Sequence, residues 1–452
     1  MTNARSTKLP IIPTTALALA TLALAAIALV QNTGPALPAP ATAGSVAAGG
    51  AGVRTTAAET AKLVTVLQAR VQAQPTDGAA YAQLGAAFLQ RGRETADPGY
   101  STRAEATLTK ALELRPENPL AFRAMGTLAL TRHRFDEALQ WGELARQAEP
   151  GHAEAYGIIG DALLELGRYP QAFDAFQQMM DRRPDRPSYA RIAYARELRG
   201  DIPGAIEAMA SAAAAGDPAG EGAAWAWVQL GALRWTYQGD LAGTERDYYT
   251  ALMSSPGYAP ALAGLAQVAA ARGDLAGAIA QAQQAATTLP LPSHVTLLGD
   301  LLRTAGRPDE AAQQDALVRA IHQLAVASGA NTDLETALFE ADRGEQPQAA
   351  VAMARAAHTV RPGVQAADVL AWALFRAGET GEARSVMEQA LALGSRDPLV
   401  HYHAGKIALA AGDRPAARQH FTTALDANAH FSLRYADDAR AMLQLLTEGG
   451  LP

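Results

Sequence analysis

Glu154, Asp161 and Glu165 are spaced seven and four residues apart, a separation that sets three carboxylates on one stripe of a helix. Such a stripe attracts a basic peptide or a divalent cation, and an ordinary solvated acidic face has the same pattern. Tyr402 and Lys406, four apart, read either as a clamp for a partner's carboxylate or as an ordinary solvated pair. Trp225 and Trp235 lie close to three helical turns apart, and Trp372 and Phe375 three residues apart. Both pairs read either as exposed aromatic anchors or as packing between neighbouring elements. His401, His403, His420 and His430 form the densest histidine region, but His401 and His403 point in different directions on a helix. They define no coordination geometry, so no metal is expected. No nucleophile arrangement, glycosidase carboxylate pair or phosphate-binding loop accompanies these residues, so neither an enzyme nor a cofactor is expected.

Composition narrows the chemistry further. The 452 residues carry 38 basic and 45 acidic side chains, a formal charge of −7, which disfavours nucleic acid as a partner because no cationic excess exists to neutralise phosphates. With no cysteine, the chain has no disulfide, thiolate nucleophile or thiolate-bound metal. A hydrophobic fraction of 49% with only 18% charged residues, against about 25% in ordinary domains, suits a large helical core.

The amino terminus reads as a targeting device. Arg5 and Lys8 precede an apolar run from Thr14 to Val30, and no further charge occurs before Arg54. At 1.5 Å per residue that run spans about 26 Å, close to a bilayer core. Residues 1–30 are therefore expected to be an export signal or a single membrane anchor, with small-residue cleavage possibilities at Ala39-Pro40-Ala41 and Ala41-Thr42-Ala43. Residues 31–56, rich in Pro, Ala and Gly, read as a flexible linker that cannot bury enough surface to order itself. Residues 57–77 read as an amino-terminal cap helix, carrying Leu63, Val66, Leu67 and Val71 at helical spacing.

From residue 78 to 452 the chain repeats. Ten units start near Gly78, Pro119, Ala153, Arg186, Ala224, Ala259, Pro292, Ala330, Val364 and Pro398. Their eighth position is always small: Gly85, Gly126, Gly160, Ala193, Gly231, Ala266, Gly299, Ala337, Ala371 and Gly405. The twentieth is Ala or Gly as well, from Ala138 and Ala172 through Gly243 and Ala349 to Ala417. Small residues at both places let two helices cross closely. Bulk at position seven, such as Leu84 and Leu370, and at position twenty-four, such as Phe176, Met353 and Phe421, fills the space beside the crossing. Turns recur as Gly92-Arg93, Gly167-Arg168, Gly200-Asp201, Gly239-Asp240, Gly273-Asp274 and Gly412-Asp413, where Gly ends one helix and an Asp or a nearby Pro can begin the next.

Over Gly78 to Leu433 this pattern resembles the tetratricopeptide repeat family. The closest units are Tyr81-Leu84-Gly85, Tyr156-Ile159-Gly160 with Ala172-Phe176-Met179-Pro184, and Gly405 with Ala417-Phe421-Ala424. Departures are Arg196 and Arg234 at the eleventh position, Asp315 at the twenty-fourth, and a weak eighth unit with Asp333 at its fourth. The resemblance implies an all-α, right-handed superhelical solenoid of about ten helix pairs with a carboxy-terminal cap. First helices then line a concave surface on which proteins or peptides dock. Its groove positions fall on Arg123, Glu154, Asp161, Glu165, Tyr194 and Trp225, then on Trp235, Gln267, Asp300, Arg303, Asp342 and Asp368, and finally on Trp372, Phe375, Arg376, Tyr402 and Lys406. No unit has the lysine-asparagine pair of the family's carboxylate clamp; the tenth, for example, has Tyr402 and Lys406 in those places.

These features lead to the expectation of a noncatalytic scaffold on the extracytoplasmic side of a membrane, exported if its signal is cleaved. Acidic groove residues favour a partner with exposed Lys or Arg. The alternatives are an accessory subunit of an envelope enzyme or transport complex, and a small-molecule or glycan receptor using Trp225 or Trp372.

Overall fold

The computed structural model describes residues 57–448, apart from 96, 98 and 328. Among the described residues there are 22 helices and no strand. A lone helix, α1 (Ala57–Ala73), packs on the first of ten pairs. These are α2 (Gly78–Thr95) with α3 (Gly99–Leu114), α4 (Pro119–Thr131) with α5 (Phe135–Ala148), α6 (Ala153–Glu165) with α7 (Tyr169–Arg182), and α8 (Arg186–Leu198) with α9 (Ile202–Ala214). Next come α10 (Glu221–Gln238) with α11 (Leu241–Ser254), α12 (Ala259–Ala271) with α13 (Leu275–Thr288), and α14 (Pro292–Thr304) with α15 (Pro308–Ala327). The row ends with α16 (Asp333–Arg343) and α17 (Pro347–Val360), α18 (Val364–Arg376) and α19 (Thr380–Ala390), α20 (Pro398–Ala410) and α21 (Arg414–Ala427), then a last helix, α22 (Ala436–Glu448). The expected apolar segment of residues 1–30 and the linker of 31–56 lie outside the described residues. No helix among the described residues is long and apolar enough to cross a membrane.

The small-residue positions meet the bulky ones as the spacing requires. A Cβ at Gly405 would lie 2.7 Å from the Phe421 ring, and one at Gly126 would lie 2.8 Å from Ile158 of the next unit. Phe421 is wholly buried. Gly405→Leu is therefore expected to destabilise by about 1–3 kcal/mol or more, read as a lowered urea midpoint, because the ring has no room to retreat. Turn aspartates also act as the pattern demands. Asp201, Asp240, Asp274 and Asp413 accept the backbone N–H three residues on at 3.1, 2.9, 2.9 and 3.1 Å. Each such cap contributes about 1 kcal/mol.

First helices form the inner layer. Twelve of the thirteen residues of α6 are buried, but only four of the fourteen of its partner α7. Adjacent first helices also touch, as α4 touches α6 and α18 touches α20.

Eight first helices begin at the residue given by the repeat register. The fifth begins early, at Glu221 rather than Ala224, and the eighth late, at Asp333 rather than Ala330. Both end on a left-handed glycine, Gly239 and Gly344, and their second helices are displaced by one residue. Thr244 and Tyr248 therefore occupy the crossing in the fifth unit, and Ala350 and Ala354 in the eighth; Ala349, expected inside, is exposed. Gly92, expected in a turn, lies within α2, which runs on to Thr95. The second unit has no turn glycine, and His133 takes its left-handed conformation at φ 55°.

His133 persists there because the solenoid curls back onto it. Its Nδ1 lies 2.7 Å from the Asn331 carbonyl, 198 residues away, and the Asn331 N–H donates to the Arg132 carbonyl at 3.3 Å. This contact joins the second unit to the eighth. One unit further on, the Val364 N–H donates to the Tyr169 hydroxyl at 2.6 Å, across 195 residues. Beyond that, a Cβ at Gly200 would lie 3.3 Å from Arg396, and the Asn428 amide donates to the Trp235 carbonyl at 2.8 Å, across 193 residues. Successive turns of the superhelix thus rest on one another.

Candidate protein-interaction surface

The inner face is largely occupied by the chain itself, through neighbouring units and through the adjoining turn. All of the groove residues expected to face a partner are buried or half buried. The carboxylate stripe is not free. Glu154 pairs with Arg123 at 3.3 Å, and Arg123 also binds Glu149. Asp161 accepts from Arg191 Nε and Nη2 at 2.9 and 2.6 Å, while Glu165 receives Arg361 Nε at 2.6 Å. Arg361 Nη1 reaches Glu335 at 3.1 Å, so one guanidinium ties α17 to α6 and α16. Burial alone would lower the affinity of Arg361 for its proton, but the Glu165 and Glu335 carboxylates raise it above its ordinary value.

The aromatic pairs are internal as well. Trp225 packs on the core of the fourth unit, whereas Trp235 is buried with Tyr248 and Leu265 in the next cluster, so the two do not form one anchor. Trp372 stacks on Phe375 at 5.3 Å and on His403 at 4.2 Å, donates to Asp342 at 2.9 Å, and has Arg376 at 5.5 Å over its ring. Tyr194 bonds to Gln365 of the next turn. His403 is wholly buried and its Nδ1 lies 2.9 Å from Asp368. Tyr402 and Lys406 do hold one carboxylate, but it belongs to the chain: Asp438 of α22 accepts from both, at 2.8 and 2.9 Å. The last helix takes the place expected for a partner because it follows the tenth unit into the inner layer.

Departures from the repeat pattern are compensated locally. Asp315, standing where other units carry Phe or Met, is buried and takes Arg343 at 2.8 Å as well as Arg303. Arg234 binds both oxygens of Asp247 at 3.0 and 2.8 Å. Sequence spacing did not reveal Arg361, Arg434 or Tyr435, which meet Glu165, Asp300 and Asp342 across 196, 134 and 93 residues; Glu335, also missed, is engaged by Arg361 26 residues on.

Glu197, also unforeseen, lies in this interior with the Tyr237 hydroxyl donating to it at 2.9 Å. Burial pushes its carboxyl up to about 8 from 4.5. Between those values the folded chain holds a proton that the unfolded chain has released, so this group makes stability fall as pH rises through the window. Glu197→Gln keeps an acceptor for Tyr237. It is expected to be more stable than the parent by about 2–4 kcal/mol at pH 9, with the gap closing toward pH 4.5 in urea titrations.

The inner face nevertheless retains a cavity of about 410 Å³ between α12, α14, α16 and the segment after α21. Trp235, Phe339, Phe431 and Tyr435 contribute rings to its lining, and Asp300, Glu335, Asp342 and Arg434 contribute charges. Asp300 binds Arg303, Arg343 and Arg434 at 3.1, 3.0 and 2.6 Å. Burial pushes its carboxyl up to about 6, against the opposing pull of Arg434. No group of three or more metal-ligating side chains occurs among the described residues.

Serial helix pairs with small crossing residues, closed around an inner face, define an α-solenoid. Family profiles described as tetratricopeptide repeat match residues 99–152, 129–196 and 368–432, and those stretches are tetratricopeptide repeats. The curated tetratricopeptide repeat protein 36 of Mus musculus is 34% identical over 103 residues, which are 23% of this chain and 55% of that protein. This chain thus spans about half the length of that relative. The solved human IFIT1 dimer with PPP-AAAA is 12% identical, with 81% of this chain and 86% of that one covered and a TM-score of 0.46. A tetratricopeptide repeat protein from Parabacteroides merdae is 18% identical, with 58% and 98% covered and a TM-score of 0.34.

Proposed function

We propose that this protein is a noncatalytic scaffold that docks proteins or peptides on the inner face around α12, α14 and α16, and that it does so on the extracytoplasmic side of a membrane. The observation that carries the docking surface is the cavity of about 410 Å³ on the inner layer of the solenoid. Carboxylates on its wall support a partner with exposed Lys or Arg. The apolar run Thr14–Val30, with Arg5 and Lys8 before it, supports retention at a membrane, which would raise local concentration without strengthening any single contact.

Photo-crosslinking side chains placed at Thr304 and Leu433, both exposed at the cavity, are expected to give repeatable protein crosslinks in cells, suppressed by excess purified body. The same probe at Met253, exposed on α11, serves as the outer-surface control. Absence of repeatable crosslinks, or equal crosslinking from Met253, would overturn the docking surface. Loss of membrane association on removing residues 1–56 tests the location separately.

A further inference from the structure

The cavity's charges are unevenly compensated. Asp300 is shared by three arginines, Glu335 holds Arg361, and Asp437 holds Arg440. Asp342 differs. Among the described residues no Lys or Arg nitrogen is recorded within 4 Å of its carboxylate, although Arg434 donates to its backbone carbonyl at 3.3 Å. Its Oδ1 is oriented by two neutral donors, Trp372 Nε1 at 2.9 Å and the Tyr435 hydroxyl at 2.7 Å. It lies two helical turns from Glu335 on the same face of α16, with Leu338 and Phe339 between them, and all four residues border the cavity. His322 borders it too; only 4% exposed, it has an Nδ1 with no partner.

The adjoining segment shows what this wall accepts. Arg434 sits with Nη2 2.6 Å from Asp300 and its guanidinium 5.9 Å from the Tyr435 ring centroid, so a cation between carboxylate and aromatic is already accommodated in cis. Trp235, Phe339 and Phe431 offer further ring surface around the remaining space. About 410 Å³ falls within the range of small-ligand pockets, enough for a cationic group on an aromatic or aliphatic body.

We propose that this cavity binds an organic cation carried on an apolar body, with Asp342 as the counter-ion. The inference rests on the docking surface proposed above and names the chemistry it selects. The occupant is an Arg or Lys beside an aromatic residue on a protein partner, the arrangement that Arg434 and Tyr435 already present in cis.

The test is equilibrium binding to the full chain, followed by calorimetry. The probes are acetyl-Phe-Arg-amide, its neutral counterpart acetyl-Phe-citrulline-amide, and 2-phenylethylamine. The cationic peptide is expected to bind at least about tenfold more tightly than the citrulline peptide, a difference of about 1.4 kcal/mol. Asp342→Asn, which keeps an acceptor for Trp372 and Tyr435, is expected to erase that preference. Thr296→Trp, filling the cavity from α14, is expected to abolish binding with Asp342 intact. The peptide is expected to bind more tightly than the amine, because the occupant is a side chain of a protein partner; equal or tighter binding of the amine would overturn that assignment. Equal binding of the two peptides, an unchanged preference in a folded Asp342→Asn chain, or no binding of either cation would overturn the proposal. If Asp342→Asn leaves crosslinking from Thr304 intact, this inference fails and the scaffold reading stands; if the parent chain gives no crosslinks, that reading fails instead.

Discussion

Arg361→Met will lower stability by about 3–5 kcal/mol, because Glu165 and Glu335 are left as buried carboxylates without their cation. Their side chains are 7% and 8% exposed, so water cannot replace the guanidinium. Methionine retains much of the arginine's apolar stem, and the loss is therefore one of charge compensation more than of packing over Phe135, whose ring centroid lies 5.4 Å from the guanidinium. Chemical denaturation should show a lowered midpoint and a broadened or split transition, since units joined only to their neighbours unfold more independently than units clamped across a turn. Adding Glu165→Gln and Glu335→Gln to Arg361→Met should recover part of the loss. A triple variant with no recovery over Arg361→Met would show that the ion pairs are not what clamps the turns.

Trp372→Ala is the second large effect, about 3–5 kcal/mol. The indole is 1% exposed and meets Phe375, Tyr402, His403 and Tyr435 with ring centroids 4.2 to 5.9 Å away. Removing it leaves a void among four rings and takes a donor from Asp342. Trp372→Phe should recover most of the packing but not the hydrogen bond. Near-ultraviolet circular dichroism and urea melts of the two variants separate these contributions: an alanine variant within about 1 kcal/mol of the parent would mean that the rings close over the gap.

The repeat itself was legible because its cause is local. Gly405 under Phe421 and the Asp413 cap lie within one unit, so their spacing alone predicts the crossing and the turn. The register failed in the fifth and eighth units, where Gly239 and Gly344 end their helices late and shift the following crossing by one residue. In the eighth unit Asn331 also bonds to Arg132 of the preceding turn, a contact that single-unit spacing does not carry.

The candidate surface was legible only as an address. Asp161, Glu165 and Trp372 do lie on inner helices, but Arg191, Arg361 and Asp342 already engage them. Arg361 is 196 residues from Glu165, a distance in sequence that carries no periodic signal. Arg434 and Tyr435 follow the tenth unit, where the repeat pattern has ended, and their place beside Asp300 and Asp342 depends on where the row of units comes to rest.

Turn-on-turn closure engages Glu165, Tyr194 and Trp235 from the adjoining turn. It is tested most directly by pulsed electron resonance between spin labels at Arg199, just after α8, and Arg396, just before α20, both exposed. The native chain has no cysteine, so two introduced ones carry the labels without competition. A single narrow distribution at the short end of the measurable range is the predicted result. A long, broad distribution would show an open spring whose fourth and tenth units do not meet, and would contradict the account.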